Sequence, residues 1–426
     1  MTIVIFVGAL LGAMALGVPI AFALLASGAA LMWHLNMFDA QILAQNVIEG
    51  ANSFPLLAVP FFMLAGEIMN AGGLSRRIVN FAMALVGHVR GGLGYVAITA
   101  AVMMAALSGS AVADAAALSA LLLPMMVAAG HDKARSAGLL ASASIIAPVI
   151  PPSIGFVIFG VAANVSISKL FLAGIVPGIL LGVALWVTWW WLARREQVAT
   201  PPRRNAAQVL QALRDAGFAL GLPVIVIVGL KFGVFTPTEA AVVAAVYALA
   251  VSMGVYRELR WNQLYGLFQA AAKTTSVIMF LVAAAMVSAW LITVAQLPDQ
   301  IIGLLQPFLD SPRLLMFMIM VLVIVVGTAM DMTPTVLILT PVLMPIVKAA
   351  GIDPVYFGVL FIMNNAIGLI TPPVGTVLNT VAGVGRISMD EVTRGVWPFM
   401  IAQFALMFLM VMFPQIVIWP ARWLAG

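Results

Sequence analysis

Long apolar runs separated by short polar punctuation make up nearly the whole chain. The runs cover 2–16, 18–35, 55–70, 93–107, 111–129, 135–149, 154–164 and 170–192. After a polar stretch they resume at 216–232, 237–256, 271–296, 314–328, 332–347, 355–370, 375–384 and 395–419. Within a run the chain stays apolar, as in Ile3–Leu35, Phe171–Leu192 and Leu314–Ala329, with no period-two alternation. A barrel strand would alternate apolar and polar residues. Only helices and closed barrels satisfy every backbone group in lipid, so the pattern predicts membrane helices. Several runs are shorter than the ~20 residues a span needs. The short runs come in adjacent pairs separated by Gly, Pro, Ser or Thr.

Composition strengthens this reading. The 426 residues are 64% hydrophobic and only 8% charged, with mean hydropathy +1.14. A soluble domain carries about a quarter charged residues. The bilayer is therefore the solvent for much of the surface. With no cysteine, disulfides, thiolate metal sites and cysteine nucleophiles are excluded. His34, His88 and His131 are scattered. Met1–Leu16 has no positive leading region and reads as a retained helix rather than a cleaved signal. The net charge of +5 needs no nucleic acid to explain it. Much of it lies in one loop, 193–215, with Arg194, Arg195, Arg203, Arg204 and Arg214 against Glu196 and Asp215. The positive-inside rule makes that loop cytoplasmic. Thr200-Pro201-Pro202 within it marks a linker between two halves.

The halves repeat each other. Pro124, Gly130, Asp132, Pro151, Pro152 and Pro177 correspond to Pro345, Gly351, Asp353, Pro372, Pro373 and Pro398. Each pair is offset by the same 221 positions (345 − 124, 372 − 151, 398 − 177). Repeats with interrupted helices at matching places are the sequence sign of a secondary transporter. The residues leave open whether the repeats are parallel or inverted, because the short segments make the crossings hard to count.

Two kinds of punctuation carry chemistry. The stretch Ser108-Gly109-Ser110-Ala111-Val112-Ala113-Asp114 joins two apolar segments and predicts a re-entrant hairpin. The 221 offset pairs the segment around it with Gly327-Thr328-Ala329-Met330-Asp331-Met332-Thr333-Pro334, so Ser110 matches Asp331, and Pro334 is expected to start the second arm. Irregular backbone is tolerated at this depth only inside protein or beside a cavity. Its carbonyls and hydroxyls are hard oxygen ligands, suited to sodium. Small residues also allow close helix packing, but Asp114 and Asp331 favour function, since an intramembrane carboxylate is costly. The second kind is Pro151-Pro152-Ser153 and Thr371-Pro372-Pro373. Paired prolines remove N–H donors and break a helix. Carbonyls before the break can face a cation, and N–H groups after it favour an anion.

Other features have plainer readings. Asn364 and Asn365 either line the cavity or brace helices. Thr236-Pro237-Thr238-Glu239 reads as a structural helix cap. Glu67, Lys231 and Lys273 mark helix ends or snorkel. Gly72-Gly73-Leu74-Ser75-Arg76-Arg77 reads as a charged surface turn, and 38–54 as an interfacial segment or a loop. Trp189-Trp190-Trp191 fits an aromatic belt beside Arg194.

Together these blocks resemble the large membrane subunit (M subunit) of the tripartite ATP-independent periplasmic (TRAP) transporters. Ser108 through Leu118 looks like the family's first hairpin motif, and Ile150-Pro151-Pro152-Ser153-Ile154 its first helix break. Gly233-Val234-Phe235-Thr236-Pro237-Thr238-Glu239-Ala240-Ala241 resembles a characteristic stretch. Met330-Asp331-Met332-Thr333-Pro334, with Thr340-Pro341 and Pro345, resembles the second hairpin. Leu369-Ile370-Thr371-Pro372-Pro373-Val374-Gly375 resembles the second break. Ala111 stands where a further serine is expected, and Met332 where a proline or small residue is expected.

The resemblance implies an all-α polytopic fold of two inverted repeats, each with a re-entrant hairpin and a broken helix. A scaffold and a moving transport domain would work as an elevator. The expected division is 1–90 and 216–296 as scaffold, 91–192 and 297–393 as transport domain, and 394–426 as a C-terminal span. The expected activity is sodium symport of a small organic acid across the bacterial inner membrane. No cofactor is expected beyond sodium as coupling ion. The expected partners are a separate small four-helix TRAP membrane subunit and a periplasmic substrate-binding protein. Ser108, Gly109, Ser110, Pro151 and Ser153 are expected around one ion, and Asp331, Thr333, Thr371, Pro372 and Gly375 around another. Ser110, Ser153, Asn364, Asn365 and Pro373 are expected to face the substrate. No GxxxxGK[ST] phosphate loop is present, which leaves an ion gradient as the driving force. Two other readings are an intramembrane aspartyl protease using Asp114 and Asp331, and a sodium/carboxylate symporter that works without a binding protein. The protease lacks the Gly-x-Gly expected before its aspartate.

Overall fold

The computed structural model describes residues 2–194, 198, 200, 202–297, 302–303, 306 and 308–425. Arg195, Glu196 and Pro201 of the basic loop lie outside the described residues. Among the described residues the chain is helical, with no strand. Eight helices among the described residues are long and apolar enough to cross a membrane.

The first part of the chain gives α1 (Thr2–Ala15), α2 (Ile20–His34), α3 (Ala40–Ala51), α4 (Ala58–Ala71) and α5 (Leu74–Val86). Asp39 caps α3 by accepting from the amides of Gln41 and Ile42, so the segment around 38–54 contains a short helix. Arg76 and Arg77 lie inside α5, not in a surface turn. The amphipathic helix 74–86 escaped the run-based reading because Ser75, Arg76, Arg77 and Asn80 interrupt its apolar face.

Five helices then follow in each repeat. The first set is α6 (Gly92–Ser108), α7 (Ala111–Ala128), α8 (Lys133–Ser144), α9 (Ile154–Ala163) and α10 (Ile167–Ala193). Between the sets lie α11 (Ala206–Lys231), α12 (Pro237–Ala250) and α13 (Trp261–Val294). The second set is α14 (Pro312–Gly327), α15 (Met332–Ala349), α16 (Pro354–Gly368), α17 (Thr376–Gly385) and α18 (Met389–Met412), followed by α19 (Gln415–Ala425). The offset holds in three dimensions: α7 and α15 match at both ends (332 − 111 and 349 − 128 are both 221). Asp132 and Asp353, also 221 apart, cap α8 and α16 with their carboxylates.

Three boundaries differ from the sequence reading. The polar linker is shorter than 193–215, because α11 begins at Ala206 and carries Arg214 and Asp215. Asn205 and Gln208 form a capping box there, a polar start that a hydropathy run cannot register. The C-terminal span begins at Met389 rather than 394, and a break at Phe413 separates α19. Pro334 is the third residue of α15, with Asp331 at the cap. The proline is still tolerated because first-turn amides have no intrahelical partner.

The repeats interlock. The second half of each broken helix packs on the other repeat's hairpin: α9 against α15, and α17 against α7. Phe159 of α9 meets Phe357 and Phe361 of α16 at ring distances of 6.0 and 5.8 Å. Gly138 of α8 lies against the Gly395 backbone of α18, where a Cβ would approach to 2.2 Å. Gln403 of α18 donates to the Ser142 carbonyl of α8 at 2.9 Å. Trp189 belongs to this core rather than to a surface belt. It is fully buried, donates to the Gly91 carbonyl at 2.8 Å and stacks on Phe399. Trp190 and Trp191 are exposed, as a belt requires.

Candidate functional site: two hairpin tips against two helix breaks

Each hairpin tip lies against the helix break of its own repeat. Gly109 separates α6 from α7 and has φ +60°, a left-handed conformation that favours glycine. A Cβ there would stand 2.5 Å from the Pro152 carbonyl oxygen, so the tip and the break touch through backbone. The break interrupts two helices of 12 and 10 residues, each about half a span. A tip set against such a break is the arrangement of a re-entrant hairpin. In the second repeat the Thr376 hydroxyl, just after the break, donates to the Asp331 carboxylate at the tip, at 3.4 Å.

The two tip–break pairs also meet each other. A Cβ on Gly155, at the start of α9, would lie 3.3 Å from the Met332 sulfur at the start of α15. The helix starts at Ser110, Ser153 and Asp331 are thus drawn toward one region. Ser110 accepts from the Ala113 amide. Ser153 accepts from Phe156 and donates to the Pro148 carbonyl. Both serines therefore hold the local backbone, whatever else they contact. Helix N-termini carry partial positive charge and suit an anion. The carbonyl ends of α14 and α16 also meet: a Cβ on Gly368 would lie 3.3 Å from the Gly327 oxygen. Carbonyl ends suit a cation.

The two halves differ in polarity and access. In the first, Asp114 is fully buried. Ser108 donates to its Oδ1 at 2.6 Å, and its Oδ2 has no hydrogen-bond partner among the described residues. Pro151, Pro152 and Ser153 are also buried. In the second, Asp331, Pro373 and Val374 are exposed, while Thr333 and Pro372 are partly buried. The Thr371 hydroxyl donates to the Ile367 carbonyl at 2.9 Å. Gly375, with φ +45°, opens α17 without a side-chain cap.

Asn364 and Asn365 are buried. Asn364 braces α16 against α14 by donating to the Met320 carbonyl, whereas Asn365 donates within α16 to the Phe361 carbonyl, each at 2.7 Å. Both amide oxygens remain without a partner among the described residues, so an acceptor is left on each. Glu239 and Thr236 form the expected capping box of α12. The Thr238 hydroxyl ties that helix start to the Phe54 carbonyl.

Three features were not among the candidates read from sequence. Thr376 partners Asp331, and its only signal was its place after Gly375. Asp114 had drawn notice as a carboxylate but was left out of the ligand groups; its spacing from Ser108 gave no sign of their bond. The Gly327–Gly368 contact had a fainter signal, since the 221 offset places both opposite alanines, Ala106 and Ala147. Asp114 and Asp331 are held by different hydroxyls, Ser108 and Thr376, and share none.

Residues 7–416 match the family described as "Tripartite ATP-independent periplasmic transporter, DctM component". The chain is 57% identical, over the full length of both proteins, to the 2,3-diketo-L-gulonate TRAP transporter large permease protein YiaN of Escherichia coli. It is 38% identical to the sialic acid TRAP transporter large permease protein SiaM of Vibrio cholerae, with 95% of each chain covered. Among solved structures, the YdaH transporter of Alcanivorax borkumensis aligns over 88% of this chain and 89% of its own, with TM-score 0.64 and 16% identity. At that identity the likeness shows the fold. The chain belongs to the DctM family of TRAP transporter large permeases, multi-pass proteins of the bacterial inner membrane.

Proposed function

We propose that this permease imports a small organic acid by sodium symport, with the substrate delivered by a periplasmic binding protein. The observation that carries the proposal is the duplicated tip–break pair, with a carboxylate in each half. One sodium ion is held near Ser108, Gly109, Ser110 and Asp114, with carbonyls around Pro151. The other is held by Asp331, Thr376 and carbonyls near Thr371, with Thr333 and Pro372 beside it. These donors are all oxygens, which fits a small hard cation. Sodium offsets the local negative charge and leaves the nearby helix N-termini to attract the substrate carboxylate. Ser110, Ser153 and Pro373 then lie toward that anion, while the amide oxygens of Asn364 and Asn365, which can only accept, take hydroxyl donors of the substrate.

The inverted relation of the repeats and an elevator movement belong to the same proposal. The interlocked unit 91–192 with 297–393 would move against a scaffold of 1–90 and 216–296. A separate small four-helix membrane subunit would complete the transporter. The named substrates of the two permease relatives are both hydroxylated carboxylic acids, and 2,3-diketo-L-gulonate is the first candidate to test.

The test is uptake into proteoliposomes holding the permease and its small subunit, with binding protein and an inward sodium gradient added singly and together. Uptake that needs both is the expected result. Sodium-driven uptake without the binding protein would move the chain to a symporter that works alone. Sodium-independent uptake would sink both ion sites.

A further inference from the structure

A polar cavity of about 830 Å³ lies away from the tip–break region, between α5, the start of α11 and the turn after α12. Its lining includes Arg76, Arg77, Arg204 and Arg214 against Asp215 and Glu258, which leaves two positive charges in excess (4 − 2). Glu258 pairs with Arg76 and Arg77, and Arg77 also lies 3.7 Å over the Tyr256 ring. Arg204 and Arg214 form no ion pair with the described residues. Two arginines are thus fixed by the protein and two remain available.

Arg204 also lines a second, mainly apolar cleft of about 370 Å³. Leu85 of α5 and Val209, Leu210 and Leu213 of α11 form its walls. His88 lines it too, with a buried Nδ1 that has no hydrogen-bond partner among the described residues. One arginine therefore joins a basic cavity to an apolar slot on a helix long enough to span the membrane. That combination matches an amphipathic anion. A soluble phosphate would use the basic cavity and leave the slot without purpose.

We infer that these adjoining cavities bind an anionic phospholipid, with its phosphate between Arg204 and Arg214 and an acyl chain in the cleft between α5 and α11. By the positive-inside rule this is the cytoplasmic leaflet. Anionic headgroups are drawn to such juxtamembrane arginines.

The experiment is native mass spectrometry of the full chain in detergent, titrated with phosphatidylglycerol, phosphatidylcholine, glycerol phosphate or inorganic phosphate. Phosphatidylglycerol is expected to bind tightest. The Arg204→Ala/Arg214→Ala variant should lose about thirtyfold of that affinity while its binding of phosphatidylcholine is unchanged. Arg204→Gln with Arg214→Gln serves if the alanine variant fails to fold. Equal binding of the two lipids, or unchanged phosphatidylglycerol affinity in the folded variant, would overturn the inference. So would glycerol phosphate or inorganic phosphate binding as tightly as the lipid, which would make the cavity a soluble-anion site.

Discussion

Asp114 and Asp331 belong to equivalent hairpins but occupy different places in them. Asp331 sits at the helix cap, where the first repeat has Ser110, and Thr335 stands where the first repeat has Asp114. Asp331 is exposed, and among the described residues its carboxylate is bonded only to Thr376. Asp331→Asn should therefore leave thermal stability within about 0.5 kcal/mol. It should cut sodium-driven uptake at least about tenfold, from loss of a charged ligand of roughly 1.5–3 kcal/mol. Retained sodium dependence in the variant would remove Asp331 from the ion site. Ser108 presents the opposite case, since its hydroxyl is the donor to a buried carboxylate. Ser108→Ala should lower stability by about 1.5–3 kcal/mol, read as a fall in melting temperature in detergent.

At the scale of elements, the contact between tip and break sets the tolerances. Gly109→Ala adds a Cβ 2.5 Å from the Pro152 oxygen, on a residue with φ +60°. It should separate tip from break and abolish uptake, while membrane insertion and expression persist. Gly66 of α4 offers a graded test. A Cβ there would meet the Ser108 carbonyl at 3.7 Å, an ordinary contact, so Gly66→Ala should transport normally. Gly66→Leu carries atoms beyond that distance and should press on the hairpin tip and slow uptake. Equal uptake by both variants would show that α4 does not constrain the tip.

For the whole molecule, the interlocking of repeats makes one body of segments far apart in sequence. Phe159 packed on Phe357 and Phe361, and Gly138 against Gly395, tie α8 and α9 to α16 and α18. Such small-residue contacts let backbones approach closely in a membrane, where lipid offers no hydrophobic drive for association. Gly395→Leu should therefore disrupt more than α18. A Cβ at Gly395 would already come within 1.8 Å of the Ala134 oxygen, and neither folded protein nor uptake should be recovered.

The sequence alone determined that the chain lives in lipid, because continuous apolar runs can satisfy their backbone there only as helices. It also located the repeat, both hairpin tips and both breaks, since Gly and Pro act on the backbone locally wherever they stand. The family was legible for the same reason: its motifs are made of these backbone-shaping residues. The amphipathic α5 and the polar start of α11 were hidden, because their burial depends on neighbours rather than on their own hydropathy. Only the tertiary structure decided that Ser108 holds Asp114, that Thr376 reaches Asp331, and that Trp189 is core rather than belt. Each of these rests on which side chains face one another, and helix packing across segments sets that, not spacing along the chain.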